Sequence, residues 1–117
     1  MNDKKYDGVY YKVRKVEDLK EMICSSAEKF ADHDAYLQKN KDTGKFEPIK
    51  YKEVKSDMDA LGTRLVSLGL AGKKVAVIGE TSYRWVLTYF TVVCGVGVIV
   101  PLDKNLPSGE LLGLIER

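Results

Sequence analysis

The sequence predicts an α/β fold: an open, largely parallel sheet with flanking helices, plus a β-hairpin. Three observations carry that reading. Two continuous apolar runs, Val75-Ala76-Val77-Ile78 and Val98-Ile99-Val100, have the character of strands buried on both faces of a parallel sheet. The segment between them has helical period, so together they form a right-handed βαβ unit. Charge is also unevenly distributed: 29 of the first 74 residues are charged but only 7 of the last 43, which marks the second part as interior.

The elements follow in order. Leu19, Met22, Ile23, Ala27 and Phe30 recur at helical spacing between Glu17 and Ala31, which predicts an amphipathic surface helix. Ala35-Tyr36-Leu37 and Phe46 to Lys50 flank the turn-rich Asn40-Lys41-Asp42-Thr43-Gly44, which predicts a β-hairpin with Pro48 on an edge strand. From Tyr51 to Leu68 the apolar residues Tyr51, Val54, Met58, Leu61, Leu65 and Leu68 step by three and four, and Gly69 stands where a C-cap belongs. After the strand Val75–Ile78, Ser82 caps a helix in which Arg84, Thr88 and Thr91 form one thin polar stripe as far as Cys94. The strand 98–100 comes next, and Pro107 near N1 opens a last helix to Glu116. These elements group as an N-terminal helix and hairpin over residues 1–50 and a helix with the βαβ unit over residues 51–117.

At 117 residues, 44% hydrophobic and 31% charged, the chain has the size and composition of one globular domain. A net charge of +2 is too small to be a footprint for nucleic acid or anionic lipid. Cys24 and Cys94 both lie in apolar runs and read as small hydrophobes in a reducing compartment, not as a disulfide framework. With His33 as the one histidine, a tetrahedral zinc site lacks ligands. Met1 to Asp7 carries mixed charge and no apolar signal core, so a cytoplasmic location is expected. Trp85 to Leu102 is free of charge over 18 residues, but Gly95, Gly97 and Pro101 break it, which argues against a transmembrane span.

Residues that invite a chemical role have plainer readings. Gly79 follows a strand and precedes a helix, but the stretch to Arg84 lacks the other glycines of a dinucleotide loop, and Glu80 opposes phosphate. Gly95-Val96-Gly97 reads as a helix stop with tight packing. Pro101-Leu102-Asp103-Lys104 lies at the C-terminal end of a parallel strand, the edge where open α/β sheets bind ligands. His33, between Asp32 and Asp34, reads as a solvated loop histidine. Asp57 and Asp59 are two apart and do not face each other on a helix. Trp85 and Tyr89 share a helix face and read as core packing. No residue is assigned as catalytic, cofactor-binding or metal-binding.

The interior is large for the chain: a parallel sheet needs both faces covered, and the helices at hand are few. The expectation is therefore that the chain begins something larger. Asp18-Leu19-Lys20-Glu21-Met22 through Phe30, Ile49 to Val54, Lys74 to Glu80, Trp85, and Gly97 to Asp103 together resemble the N-terminal region of AMP-forming acyl-CoA synthetases, within the adenylate-forming superfamily. The family pattern T-Y-x-E-L looks like Lys50-Tyr51-Lys52-Glu53-Val54, and A-G-x-x-x-V-P-L-D looks like Gly95 to Asp103; both are structural motifs. Lys50 stands for the usual Thr or Ser, Val96 for Gly, and Thr81 for the common Asn. The Val-Ile-Gly-Glu and Pro-Leu-Asp-Lys segments look closest to the long-chain fatty acid branch.

The resemblance implies an intact enzyme that converts a fatty acid and ATP to an acyl-adenylate and pyrophosphate, then displaces AMP with the CoA thiol, with Mg²⁺ neutralising phosphate charge. The family's Ser/Thr/Gly-rich phosphate loop, Tyr-Gly-x-Thr-Glu stretch, Thr-Gly-Asp motif and catalytic Lys have no counterpart in these residues. The chain is thus expected to be scaffold, inactive by itself and without its own cofactor. Its expected partner is the remainder of the synthetase, or a second copy in a homodimer or domain swap. The competing expectation is a free-standing, non-catalytic α/β module for self-association or partner binding.

Overall fold

The computed structural model describes residues 13–117, so the reading of Met1 to Asp7 lies outside the described residues. In chain order the elements are α1 (Leu19–Lys29), β1 (Asp34–Lys39), β2 (Phe46–Lys50), α2 (Tyr51–Ser67), β3 (Lys74–Ile78), α3 (Tyr83–Thr91), a π-helical segment (Val92–Val96), β4 (Val98–Leu102) and α4 (Ser108–Ile115). Strands β1 and β2 form the expected antiparallel hairpin, and β3 pairs with β4 in parallel register from Lys74↔Val98 to Ile78↔Leu102.

Local chemistry sets the element ends. The Asp18 carboxylate accepts the Glu21 N–H at 2.7 Å and starts α1. In the hairpin the Asn40 side chain accepts the Asp42 N–H at 2.9 Å, and Gly44 takes the left-handed conformation that closes the turn. Helix α2 ends in a Schellman arrangement: Leu70 N–H bonds to Leu65 O, Gly69 N–H bonds to Val66 O, and Gly69 has φ +82°. Its start is less complete. The Glu53 carboxylate accepts the Lys50 N–H at 2.7 Å, one half of a capping box, but an ammonium cannot return the bond as a Thr or Ser hydroxyl would.

The core is small and sits between α1, α2, the π-helical segment and one face of β3. Ala27, Val54, Met58, Val77, Val92 and Val96 are buried, Val92 completely. Helix α2 crosses α3 and the π segment at Gly62, where a Cβ would lie 3.4 Å from Thr91 Cγ2 and 3.9 Å from Val96 Cγ2.

Several expectations change in the structure. The helix keeps helical dihedrals to Cys94 as expected, but its last turn widens to a π turn after Thr91, with Gly97 N–H bonding back to Val92 O at 3.0 Å, and Gly95 (φ 179°, ψ 0°) then breaks it. The polar stripe contracts to Arg84, because the Thr88 and Thr91 hydroxyls donate to carbonyls one turn back within the helix, and Thr91 is buried. Burial around most of that helix gives way to half-burial along Trp85 to Phe90. Strands β3 and β4 are not buried on both faces: Val77 is buried, but Ile78 is 48% and Val98 57% exposed, because the parallel sheet has two strands and these elements cover only part of it. Pro107 precedes α4 as its cap instead of occupying the first helical position, and α4 buries none of its residues. Among the described residues no helix is long and apolar enough to cross a membrane.

Gly97 is where the backbone of β4 meets the start of β3. A Cβ there would lie 2.2 Å from Lys73 O, inside any tolerable contact. Gly97→Ala is therefore expected to cost at least about 1–3 kcal/mol as an overpacking substitution, read by denaturant unfolding; an unchanged midpoint would refute the close approach. Conversely, Lys50→Thr supplies the missing cap hydroxyl and is expected to stabilise by roughly 0.5–1 kcal/mol in the same assay, with no gain if the half-box already suffices.

Candidate functional site

A cleft of about 740 Å³ opens at the C-terminal end of β3. Its walls are the hairpin turn with Lys39, Lys41 and Glu47 on one side, and the corner from Ile78 to Ser82 with Arg84 and Trp85 on the other. The corner turns sharply because Gly79 has φ +152°, a conformation that side chains rarely adopt. Ser82 Oγ accepts the Trp85 N–H at 3.3 Å and caps α3, as its position predicts.

The two strand ends are tied together across this corner. Ile78 and Leu102 are register partners, and two residues beyond each stand Glu80 and Lys104, joined by a 2.7 Å ion pair. The Lys104 ammonium, by hydrogen bond and charge, holds the Glu80 carboxyl below its ordinary range. Sequence reading treated Glu80 only as hostile to phosphate and missed this pair. The signal was available: the two segments align by strand register, which places residues two beyond each strand side by side.

A second polar link joins α2 to α3. Tyr83 Oη donates to Asp57 Oδ2 at 2.7 Å, and Asp59 instead pairs with Lys55 at 2.6 Å. The two carboxylates therefore serve different partners, in keeping with their two-residue spacing. Burial first, and then the Asp57 hydrogen bond and charge, push the Tyr83 hydroxyl far above the usual phenol range. His33 is exposed; its N–H and C=O belong to the turn through Phe30 O and Tyr51 N, and its ring lies edge-on to Phe30 at 5.7 Å. Trp85 stacks on Tyr89 at 5.6 Å, and both are half-buried. Gly95-Val96-Gly97 does the packing work expected of it, with Gly97 against Lys73.

At the corner the α3 N-terminus is capped by Ser82, the loop has one glycine, and Glu80 is paired with Lys104. Among the described residues, no three His, Cys, Asp or Glu side chains gather as metal ligands.

The fold and the family agree when the chain is set beside known proteins. Its fold is shared by the crystal structure of CmiS6, at 20% identity and TM-score 0.73 over 89% of this chain and 26% of that one. The Klebsiella oxytoca NpsA N-terminal subdomain in complex with 3-hydroxyanthranilyl-AMSN matches at 19% identity and TM-score 0.73, over 86% of this chain and 25% of that one. The A-PCP didomain of a carboxylic acid reductase from Segniliparus rugosus, in complex with AMP, matches at 23% identity and TM-score 0.69, over 84% and 16%. The chain thus spans about a quarter or less of the solved chains it matches. No curated protein matches it. The sequence model of the family described as AMP-binding enzyme matches residues 24–117, and the chain belongs to that family. Its α/β architecture is that of the N-terminal subdomain of adenylate-forming enzymes.

Removing the phenol tests the α2–α3 link. Tyr83→Phe is expected to cost about 1 kcal/mol at neutral pH through loss of one hydrogen bond. The Tyr83 proton is held more tightly in the folded chain than in the unfolded one. Its contribution is therefore complete below the ordinary phenol pKa of about 10 and declines as pH rises above it. Unfolding titrations on both proteins should show the difference between them shrinking over that alkaline range; a constant difference would contradict the assignment.

Proposed function

We propose that the chain is the N-terminal scaffold of an ATP-dependent, AMP-forming acyl-CoA synthetase that activates a fatty acid. One observation carries the fatty-acid reading. The Val77-Ile78-Gly79-Glu80 and Pro101-Leu102-Asp103-Lys104 segments, on which the resemblance to the long-chain branch rests, are one structural unit here, paired in strand register and joined by the Glu80–Lys104 ion pair. In this reading the whole enzyme works in the cytoplasm and joins a carboxylate to AMP with release of pyrophosphate. CoA then takes the acyl group as a thioester and releases AMP. Mg²⁺ would supply charge neutralisation at the phosphates.

The contribution of this chain's own residues is positional. Gly79 turns the chain at the end of β3, Ser82 starts α3, and Glu80 pairs with Lys104 across the strand ends that the β3–β4 register sets level. In this reading adenylation chemistry belongs to residues outside this set, because the family's phosphate loop, Tyr-Gly-x-Thr-Glu stretch and Thr-Gly-Asp motif have no counterpart among these residues. The partner is the remainder of the synthetase.

The test is carboxylate-dependent exchange of labelled pyrophosphate into ATP by the protein made from its complete coding frame, with fatty, amino and aryl acids compared. Fatty acids should drive exchange, CoA should convert the adenylate to thioester, and residues 1–117 alone should do neither. Exchange with amino or aryl acids only would overturn the fatty-acid reading. A coding frame that stops at Arg117 would favour a free-standing module.

A further inference from the structure

Two thiols far apart in sequence converge on one groove away from the strand-end cleft. The groove, about 480 Å³, lies where α1, α2 and the π-helical segment meet, and Cys24 of α1 and Cys94 of the π segment both line it, together with Lys55, Met58 and Gly62 of α2. Both cysteines are free and half-buried, not the fully enclosed hydrophobes that their apolar surroundings in sequence predict. The meeting is built by the fold. Helix α1 packs directly against the π segment, Gly62 lets α2 lie close to Thr91 and Val96, and Cys24 near the middle of α1 and Cys94 in the π segment open onto the same groove.

We propose that Cys24 and Cys94 are a dithiol modification site that a low-molecular-weight disulfide such as oxidised glutathione converts to an intramolecular disulfide. The Cys24 thiolate attacks one sulfur of glutathione disulfide, forming a mixed disulfide and expelling one glutathione thiolate. The Cys94 thiolate then attacks the Cys24 sulfur and expels the second glutathione. Two protein thiols are oxidised, one glutathione disulfide is reduced to two glutathiones, and the two thiol protons pass to solvent or to the departing thiolates. Burial raises the Cys94 thiol above its usual range, with the charges of Cys24 and Asp18 adding to this and Lys20 opposing it, which makes Cys94 the resolving partner. The product bond would clamp α1 to the junction between α3 and β4.

The experiment treats the dilute native protein with glutathione disulfide, counts free thiols, and maps linked peptides by mass spectrometry, with a parallel reaction in urea as the reference without a fold. The expected product is a Cys24–Cys94 linked peptide, lighter than its two reduced halves by two hydrogens, with a ratio of internal to mixed disulfide at least tenfold higher than in urea. Cys94→Ser should stop at the Cys24–glutathione adduct, and Cys24→Ser should form no internal bond. Since serine at a half-buried position can disturb packing, Cys94→Ala provides the same trap with an apolar replacement. Separate glutathione adducts on both cysteines of the native protein, links only between chains, or a ratio equal to that in urea would each overturn the proposal.

Discussion

The second half of the fold depends on the contact between the backbones at Gly97 and Lys73. With Val98 N–H bonded to Lys73 O at 2.9 Å and Gly72 N–H bonded to Val96 O at 2.7 Å, the chain leaving the π segment is laid directly onto the chain entering β3. A side chain at residue 97 would occupy the space of the Lys73 carbonyl. The parallel register, the alignment of the strand ends and the Glu80–Lys104 pair all follow from where this contact starts the ladder. The π turn is the accommodation that brings Gly97 there: an i to i−5 bond from Gly97 to Val92 lets the helix hand over to β4 without a separate loop.

What surrounds this contact is unevenly covered. The core side of the sheet meets Val92 and Val96, but Ile78 and Val98 remain open, and α4 carries Leu112, Leu114 and Ile115 largely exposed. The apolar exposure thus lies on the paired strands and on α4. It agrees with a domain that spans about a quarter or less of the solved adenylate-forming structures whose fold it shares.

Much of this was legible in the sequence because periodicity and punctuation report local structure directly. The three-four stepping of Tyr51 to Leu68 and the glycine at residue 69 predicted α2, which runs Tyr51–Ser67 with Leu68 as its C-cap. The apolar runs 75–78 and 98–100 gave the parallel pair, and Ser82 its cap. What stayed hidden depends on relations between distant residues. A π turn and an α-helix share nearly the same apolar pattern, so Gly95 announced the helix stop but the widening of the last turn after Thr91 left no trace in the period. Continuous apolar runs announce strands that are eventually covered, and cannot tell whether the cover lies within the same chain. Glu80 and Lys104 are 24 residues apart and became neighbours only through strand register. Cys24 and Cys94 were each read correctly as members of apolar runs, yet their convergence needed the crossing of α1 over the π segment.

Amide hydrogen exchange of the 117-residue chain, resolved by residue, tests the dependence on the Gly97 contact most directly. The Gly72, Gly97 and Val98 amides should exchange only through global opening, at the slowest rates in the molecule and well below those of α4. If these three exchange as fast as the α4 amides while Val92 and Val96 stay packed, the contact is not what holds the sheet to the core, and the account built on it fails.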